Sequence, residues 1–415
     1  MFEASLTHRE TRIEWPMWGC ILGLMLIGTA FIYSATSVYE TASLWQRFRE
    51  MPVKGFARWL IHQFYSKQVL AYGLGLTAAA AFCLFDYRKL ARWSLVVYWL
   101  CILTLMAVLI PGLGSEIHGA RRWIDLGFFN LQPSEFAKLA FVLIQANFLS
   151  RPADELHQPQ IFLKSLGLML LPFVLILKEP DLGSALVLLP VGLVMMFVAG
   201  VPLTYLRRLL GAVGVLVGLI LVDILFAPPN WRIPLEEYQR DRLLVYFGQD
   251  FAPRNATPAE RQRALKRQRE KTYNIEQALI SVGSGGITGK GWRQGTQNTL
   301  GYLPRGVAHN DFIFSVIAEE RGFLGSATVI ALYTVILFTG IKIAGQARDR
   351  LGKLMAIGIV TMLFSHVFIN IGMNIRIMPV TGIPLPLLSY GGTSVLCSLV
   401  AAGILQSIYM YRRSY

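Results

Sequence analysis

The acid with the most chemical promise is Asp311, in the run His309-Asn310-Asp311-Phe312-Ile313-Phe314, where a long polar stretch enters an apolar one. Partial desolvation at such a junction makes a carboxylate a better proton acceptor than it is in water. Asp also caps helices well, and the residues alone leave both roles, base and cap, open. Glu135 and Lys138 are a second candidate: they stand three apart at the start of an apolar run, on one helical face, where each neutralises the other. Ionisable groups at membrane depth are functional by default, yet an ion pair that only joins two helices fits equally well. Third, Lys178-Glu179-Pro180-Asp181-Leu182-Gly183 puts three charges and a helix breaker between two apolar runs. Such a hinge brings carboxylates to the membrane boundary, and a plain interfacial loop is the alternative.

Gly283-Ser284-Gly285-Gly286-Ile287-Thr288-Gly289-Lys290-Gly291-Trp292 superficially suggests a phosphate loop. The GxxxxGK[ST] spacing fails because Gly follows Lys290, and no strand precedes it, so a nucleotide P-loop is excluded. Amides beside Lys290 are still candidates for cradling a phosphate, against simple loop flexibility. Thr381-Gly382-Ile383-Pro384-Leu385-Pro386 and Ser389-Tyr390-Gly391-Gly392-Thr393-Ser394 place two prolines and small polar groups at the mouth of the last apolar run. A non-helical wall of that kind is tolerated at membrane depth only when it is buried in protein or lines a cavity. Cys20, Cys83, Cys101 and Cys397 lie in apolar runs without CxxC or Cys/His spacing. They read as buried packing residues, and neither a disulfide nor a metal site is expected.

These residues must be positioned by membrane helices. The 415-residue chain is 54% hydrophobic and 15% charged, with long apolar blocks such as Met17 to Thr36 and Leu182 to Gly200. A bilayer core about 30 Å thick needs roughly 20 apolar residues per helix. The expected fold is therefore an all-α polytopic integral membrane protein with about ten transmembrane helices. The expected spans are 17–38, 67–86, 92–112, 135–150, 163–179, 182–200, 205–227, 310–341, 353–375 and 385–410. The first is read as a retained helix rather than a cleaved signal. Pro133, Pro172, Pro180, Pro190 and Pro202 predict tilted or broken helices in the fourth to sixth spans.

Lys and Arg in the short connections, at 88, 89, 92, 207, 208, 342, 348, 350 and 353, orient those connections and both termini to the cytoplasm. Long connections, 39–66, 113–134 and 228–309, then lie outside, the last as a large extracytoplasmic loop of a single transmembrane domain spanning 1–415. The net charge of +14 is partly this bias. Arg121, Arg122, Arg240, Arg242, Lys290 and Arg293 fall in outside loops, where topology does not require them; an anionic ligand or lipid headgroup is one reason for them. Thr257-Pro258-Ala259-Glu260 reads as an N-cap, a proline at N1 and a capping-box glutamate. The helix it starts carries a charged run, Arg261 to Lys271, read as a solvated face, with anionic lipid contact the weaker alternative.

Together these motifs resemble the SEDS family (shape, elongation, division and sporulation), the bacterial peptidoglycan glycosyltransferases. Four blocks carry the resemblance: Gly119-Ala120-Arg121-Arg122-Trp123-Ile124 to Gln132-Pro133-Ser134-Glu135-Phe136-Ala137-Lys138; Glu179 to Gly183; Gly283 through Gln297 to Phe314; and Asn370-Ile371-Gly372-Met373 to Gly392. They follow the family's order over most of the chain. Gly289 to Gln297 and Gly382 to Pro386 are more similar to the elongation branch, RodA, than to the division branch, FtsW. The sequence departs from the family at Asn310, where Thr is common, at Arg305, where an acid is usual, and at Arg321, and segment 250–272 looks expanded.

The resemblance implies polymerisation of lipid II into glycan strands at the outer face of the bacterial cytoplasmic (inner) membrane during cell elongation. It implies Asp311 as general base and Trp123 as a residue on which activity depends. It implies contact with lipid II and undecaprenyl diphosphate through Glu135, Lys138, Arg121, Arg122, Gln132, Lys290, Arg293, Asp181 and Ser389. A departing diphosphate needs cations, from Arg121, Arg122, Lys290, Arg293 or a Mg2+ or Mn2+ ion shared with substrate phosphates. No organic cofactor and no nucleic acid is expected. The implied protein partners are a class B penicillin-binding transpeptidase and other elongation-complex membrane proteins. Two other classes share the spans and midplane charges: a lipid II flippase or secondary transporter, and a non-catalytic scaffold of the cell-wall synthesis complex.

Overall fold

The computed structural model describes residues 13–37, 62–117, 120–125, 130–226, 237–251, 257–303 and 306–412, with positions 49, 52, 59 and 127. Seven apolar helices come first: α1 (Trp15–Thr36), α2 (Phe64–Leu84), α3 (Ser94–Leu109), α4 (Pro133–Leu149), α5 (Pro159–Lys178), α6 (Leu182–Ala199) and α7 (Leu203–Phe226). Two polar helices follow, α8 (Glu237–Phe247) and α9 (Pro258–Ser284), then α10 (Ile313–Gln346), α11 (Arg350–Asn374) and α12 (Gly392–Met410). Eight of these, α1, α2, α5, α6, α7, α10, α11 and α12, are long and apolar enough to cross a membrane, and α3 is apolar but shorter. Among the described residues the chain is an all-α polytopic membrane protein apart from one small sheet within 115–131, which was not expected. There β1 (Ser115–Ile117), β2 (Ala120–Asp125) and β3 (Asn130–Leu131) pair antiparallel in sequence order.

Burial sorts the helices. In α12, 94% of the apolar window is buried, against 6% in α7, so α12 is central and α7 faces lipid. α4 is buried on almost every side and carries Glu135 and Lys138. α11 packs between α10, α6 and α4, and α2 lies along α12. Cys101 and Cys397 are buried as expected, whereas Cys20 and Cys83 are only partly so, and all four are free thiols. At the end opposite Asp311, Tyr87 Oη and Arg88 Nε bond Asp349 at 3.0 and 2.9 Å, and Arg350 donates to the carbonyls of Arg151 and Ala199.

The prolines act differently from expectation. α5 and α6 run unbroken through Pro172 and Pro190, and the chain turns only at Pro180 and Pro202. A proline deprives the carbonyl four residues earlier of its donor. For Pro172 that carbonyl is Leu168, and Tyr98 Oη donates to it at 3.0 Å, so the helix continues.

The break comes instead at Gly322, inside α10, which was expected as one span from 310 to 341. Gly322 takes φ 65° and ψ −157°, a conformation open to glycine. The break strips the carbonyls of Glu319 and Glu320 and the amides of Phe323 and Leu324 of their intrahelical partners. The glycine-rich segment after α9 supplies all four. Lys290 N and Gly291 N donate to Glu319 O and Glu320 O at 3.0 and 3.1 Å, and Phe323 N and Leu324 N donate to Gly286 O and Ile287 O at 2.8 and 3.1 Å. These amides therefore close a helix rather than cradle a phosphate. A Cβ on Gly285, Gly289 or Gly322 would overlap the facing backbone.

The capping box at Thr257 and Glu260 forms as read, and the charged run after it is exposed. The rest of α9 packs on α10, with Ala278 and Ser281 buried. Segment 250–272 thus belongs largely to a regular helix, while Gly119 and Arg305 lie outside the described residues.

Gly289→Ala and Gly322→Ala are each expected to lower stability by more than about 1–2 kcal/mol, the cost of positive φ for an L-residue alone. Gly345→Ala, whose added Cβ meets nothing within 4 Å, serves as the neutral control. Thermal unfolding in detergent micelles checks all three.

Candidate active site

The turn before α10 carries Asp311. Its N-cap is Phe312, with no side-chain capping bond, so the cap reading of Asp311 does not hold. What fixes the turn is its backbone: Asp311 N donates to Val307 O at 3.0 Å, and Asp311 O accepts from Asn370 Nδ2 and Asn374 Nδ2, each at 3.1 Å. Asn370 also donates to Ile383 O at 2.7 Å and Asn374 to Asn370 O at 2.8 Å, and Ser315 Oγ donates to Asn374 Oδ1 at 2.6 Å. From the other side, Ser389 Oγ donates to Asn310 O at 2.5 Å and Tyr390 N to His309 O at 2.9 Å. Ser389 is 2% exposed and receives Leu385 N at 2.8 Å, so its hydroxyl braces the turn that presents the acid.

The wall beside the carboxylate is non-helical, as expected at 381–386 and 389–394, but it continues to Gly391, so α12 begins at Gly392 rather than at 385. Gly382, at φ 75°, lies against Asp311 Oδ2, which a Cβ there would meet at 3.6 Å. Arg242, from α8, donates to Thr381 O at 3.3 Å and brings a guanidinium to this wall. The residue was legible only as one of several loop cations; its placement beside Gly382 depends on how α8 folds back.

One helical turn along α11 from Asn370 stands His366, which sequence reasoning missed. Lys138 Nζ bonds Glu135 Oε1 at 2.7 Å and His366 Nε2 at 2.6 Å. His366 Nδ1 lies 2.7 Å from Met362 O. A carbonyl can only accept, so Nδ1 carries the proton and Nε2 offers its lone pair to the ammonium. The spacing His366, Asn370, Asn374 was the available signal, since i, i+4 and i+8 form one polar stripe on an otherwise apolar helix. That stripe holds the Glu135–Lys138 pair and the Asp311 turn on a single rigid element.

Gln132 Nε2 donates to Asp181 Oδ2 at 3.0 Å, Ser134 Oγ approaches it at 3.4 Å, and Ser184 N donates to Asp181 Oδ1 at 3.0 Å. Asp181 is therefore the N-cap of α6, 2% exposed, and Gln132 ties α4 to it. Arg122 donates through Nε to Glu179 O at 3.0 Å and through Nη2 to Pro180 O, fastening β2 to the same hinge. Arg121 is exposed on β2, and Trp123 is half-buried, its carbonyl accepting from Ser115 Oγ at 3.0 Å. Lys290 bonds Glu319 Oε1 at 2.7 Å and Thr296 Oγ1 at 2.6 Å. Arg293 reaches Ser37 O at 2.9 Å with its guanidinium over the Tyr33 ring. The structure thus gathers Asp311, Ser389 and Arg242 around one wall and Glu135 and Lys138 one turn away, while Lys290 and Arg293 engage the α10 break.

The hinge hides a carboxyl of another kind. Glu179 is fully buried, and neither oxygen has a hydrogen-bond partner among the described residues. Burial pushes its pKa from 4.5 up to about 9, with Asp181 adding to the rise and Arg122 opposing it. Glu179 is then a neutral acid at pH 7 in the folded protein and a carboxylate in the unfolded chain. The folded state holds the extra proton between about pH 4.5 and 9, so stability should fall as pH rises through that window. Glu179→Gln, which mimics the neutral acid, should flatten the pH dependence of the melting temperature there. For the buried pair, Lys138→Met alone should cost about 3–5 kcal/mol by leaving Glu135 uncompensated, and the Glu135→Gln/Lys138→Met double variant markedly less. Unfolding of the four proteins of this cycle measures the coupling.

Comparison with known proteins agrees with this architecture. The sequence profile of the cell cycle protein family grouping FtsW, RodA and SpoVE matches residues 14–414. Peptidoglycan glycosyltransferase MrdB of Escherichia coli strain K12 is 36% identical over 82% of this chain and 84% of its own length. Stage V sporulation protein E of Bacillus subtilis is 34% identical over 98% of this chain and 100% of its own. Among solved structures, a chain from work on the structural coordination of polymerization and crosslinking by a peptidoglycan synthase complex superposes with TM-score 0.71 at 27% identity, covering 97% of this chain and 99% of that one. The crystal structure of Thermus thermophilus rod shape determining protein RodA gives 0.62 at 26%, covering 98% of each chain. With nearly its whole length matched, this chain belongs to the FtsW, RodA and SpoVE family of cell cycle proteins.

Proposed function

We propose that the protein is a peptidoglycan glycosyltransferase of cell elongation, polymerising lipid II into glycan strands, with Asp311 as general base. The observation that carries the reading is the Asp311 turn: a carboxylate fastened through its backbone by Asn370 and Asn374, against the glycine wall at 382, with Arg242 close by. Relatives named as peptidoglycan glycosyltransferases support it.

The acceptor's sugar 4-hydroxyl attacks the anomeric carbon of the donor. The new carbon–oxygen bond forms as the bond to the diphosphate breaks, so the α-linkage inverts to β-1,4. The hydroxyl proton passes to Asp311, and undecaprenyl diphosphate leaves with the bonding electrons. General-base help of this kind is worth about 10² to 10⁴ in rate. Arg242, beside the Gly382 wall, and Arg121, exposed on β2, would neutralise the leaving diphosphate. Trp123, on the same strand as Arg121, is by the family resemblance a residue on which activity depends. Among the described residues no three Asp, Glu, His or Cys side chains converge as a ligand set. A Mg2+ or Mn2+ ion would therefore arrive on the substrate's phosphates, and no step here is routed through one.

The short basic connections opposite the site orient it outward from the cytoplasmic membrane. Ten spans, the eight above with α3 and α4, then leave both termini inside and α8 and α9 outside. A class B penicillin-binding transpeptidase is the partner that cross-links the product, in line with the synthase complex to which the fold is similar.

Purified protein in detergent with lipid II is expected to form polymer in a single compartment, which a flippase or secondary transporter would not do. Asp311→Asn should lower the rate at least about 10²-fold with an unchanged melting temperature. A scaffold would tolerate that substitution in growing cells. Polymer made by Asp311→Asn at the normal rate would overturn the assignment.

A further inference from the structure

A cavity of about 570 Å³ lies between α1 and α10, away from the Asp311 wall. That volume falls within the usual range for small-molecule sites. Its sides are apolar, including Leu26 and Phe31 on one helix and Ile317 and Val329 on the other, and its polar head is formed by Thr288 and Arg321. Arg321 is exposed at the point where α10 breaks. Its guanidinium makes no hydrogen bond or salt bridge with any described residue and has only a through-space attraction to Glu320, in contrast to Lys290 and Arg293 nearby, which Glu319 and Ser37 engage. The Thr288 hydroxyl is likewise uncommitted among the described residues. Gly325 lines the same cavity and directs the cation, because a Cβ there would overlap the Arg321 stem.

An apolar trough with a guanidinium and a hydroxyl at one end has the polarity of a phospholipid: a chain along the helices and a phosphate at the head. From Arg321 to Val329 the lining runs eight residues, about 12 Å along α10, a length that one acyl chain covers within a leaflet about 15 Å thick. The planar guanidinium, with five fixed donors, suits a phosphate. We propose that this groove is a binding site for an anionic glycerophospholipid, with one acyl chain between α1 and α10 and the phosphate on Arg321 and Thr288. The proposal uses none of the residues assigned to glycosyl transfer.

The test uses the full chain in liposomes containing phosphatidylglycerol that bears a photoactivatable diazirine midway along one acyl chain, with adducts mapped by mass spectrometry. Adducts are expected to concentrate on residues 26–31 and 324–329. Arg321→Gln should reduce them about tenfold, the worth of one charged hydrogen bond, and Arg321→Lys much less. Ala30→Trp, which fills the trough, should also remove them, and polymer formation by the Arg321 variants should stay at the wild-type rate. Equal labelling of Arg321→Gln and wild type overturns the proposal. So does equal labelling by a diacylglycerol probe without phosphate, the mark of ordinary annular lipid. Labelling that vanishes when a transpeptidase is bound would reassign the groove to a partner's helix.

Discussion

Inside hydrocarbon a backbone amide or carbonyl without a partner has no water to turn to, and most of this architecture answers that constraint. Where Pro172 removes a donor, Tyr98 replaces it and α5 continues. Where Gly322 breaks α10, the segment 286–291 supplies two donors and two acceptors. Where residues 381–391 abandon helix altogether, Asn370, Gln68 and Ser389 hold the main chain. Each departure from helix at depth is thus matched by a specific group, and the last of them lies against Asp311.

The same economy governs charge. Lys138 faces a carboxylate on one side and an imidazole lone pair on the other, so two of its three N–H donors are met by protein. Glu179 takes the other route and stays protonated, since burial without a partner disfavours the carboxylate. α11 links the two themes. Its polar stripe bonds a charged side chain at His366 and the backbone of a reactive turn at Asn370 and Asn374, which places the two parts of the site at a fixed separation.

Much of this was legible in the sequence because it rests on local pattern. Apolar runs located the membrane helices, Glu135 and Lys138 announced their pairing by spacing, and Thr257 with Glu260 declared the start of α9. The rest depends on contacts between segments distant in the chain. Nothing local to Gly322 distinguishes it from a glycine tolerated in a continuous helix; the break is stable only because 286–291 arrives beside it. The glycine-rich segment was read as a candidate phosphate cradle or a flexible loop, but its amides donate to the carbonyls of Glu319 and Glu320, far along the chain. His366 went unread, because Lys138 comes within its reach only when α4 packs on α11. The β-strands around Trp123 are too short for alternation to reveal.

The closure of the α10 break has a mechanical side. The segment 286–291 is bonded to residues on both flanks of Gly322, and it is joined without interruption to the end of α9 at Ser284. The stretch 313–321, which begins just after Asp311, is therefore clamped to α9 as firmly as to the rest of its own helix. A force applied to the charged arm of α9 is carried by peptide hydrogen bonds to the turn that holds the carboxylate, so whatever docks on that arm has a short and stiff route to the chemistry.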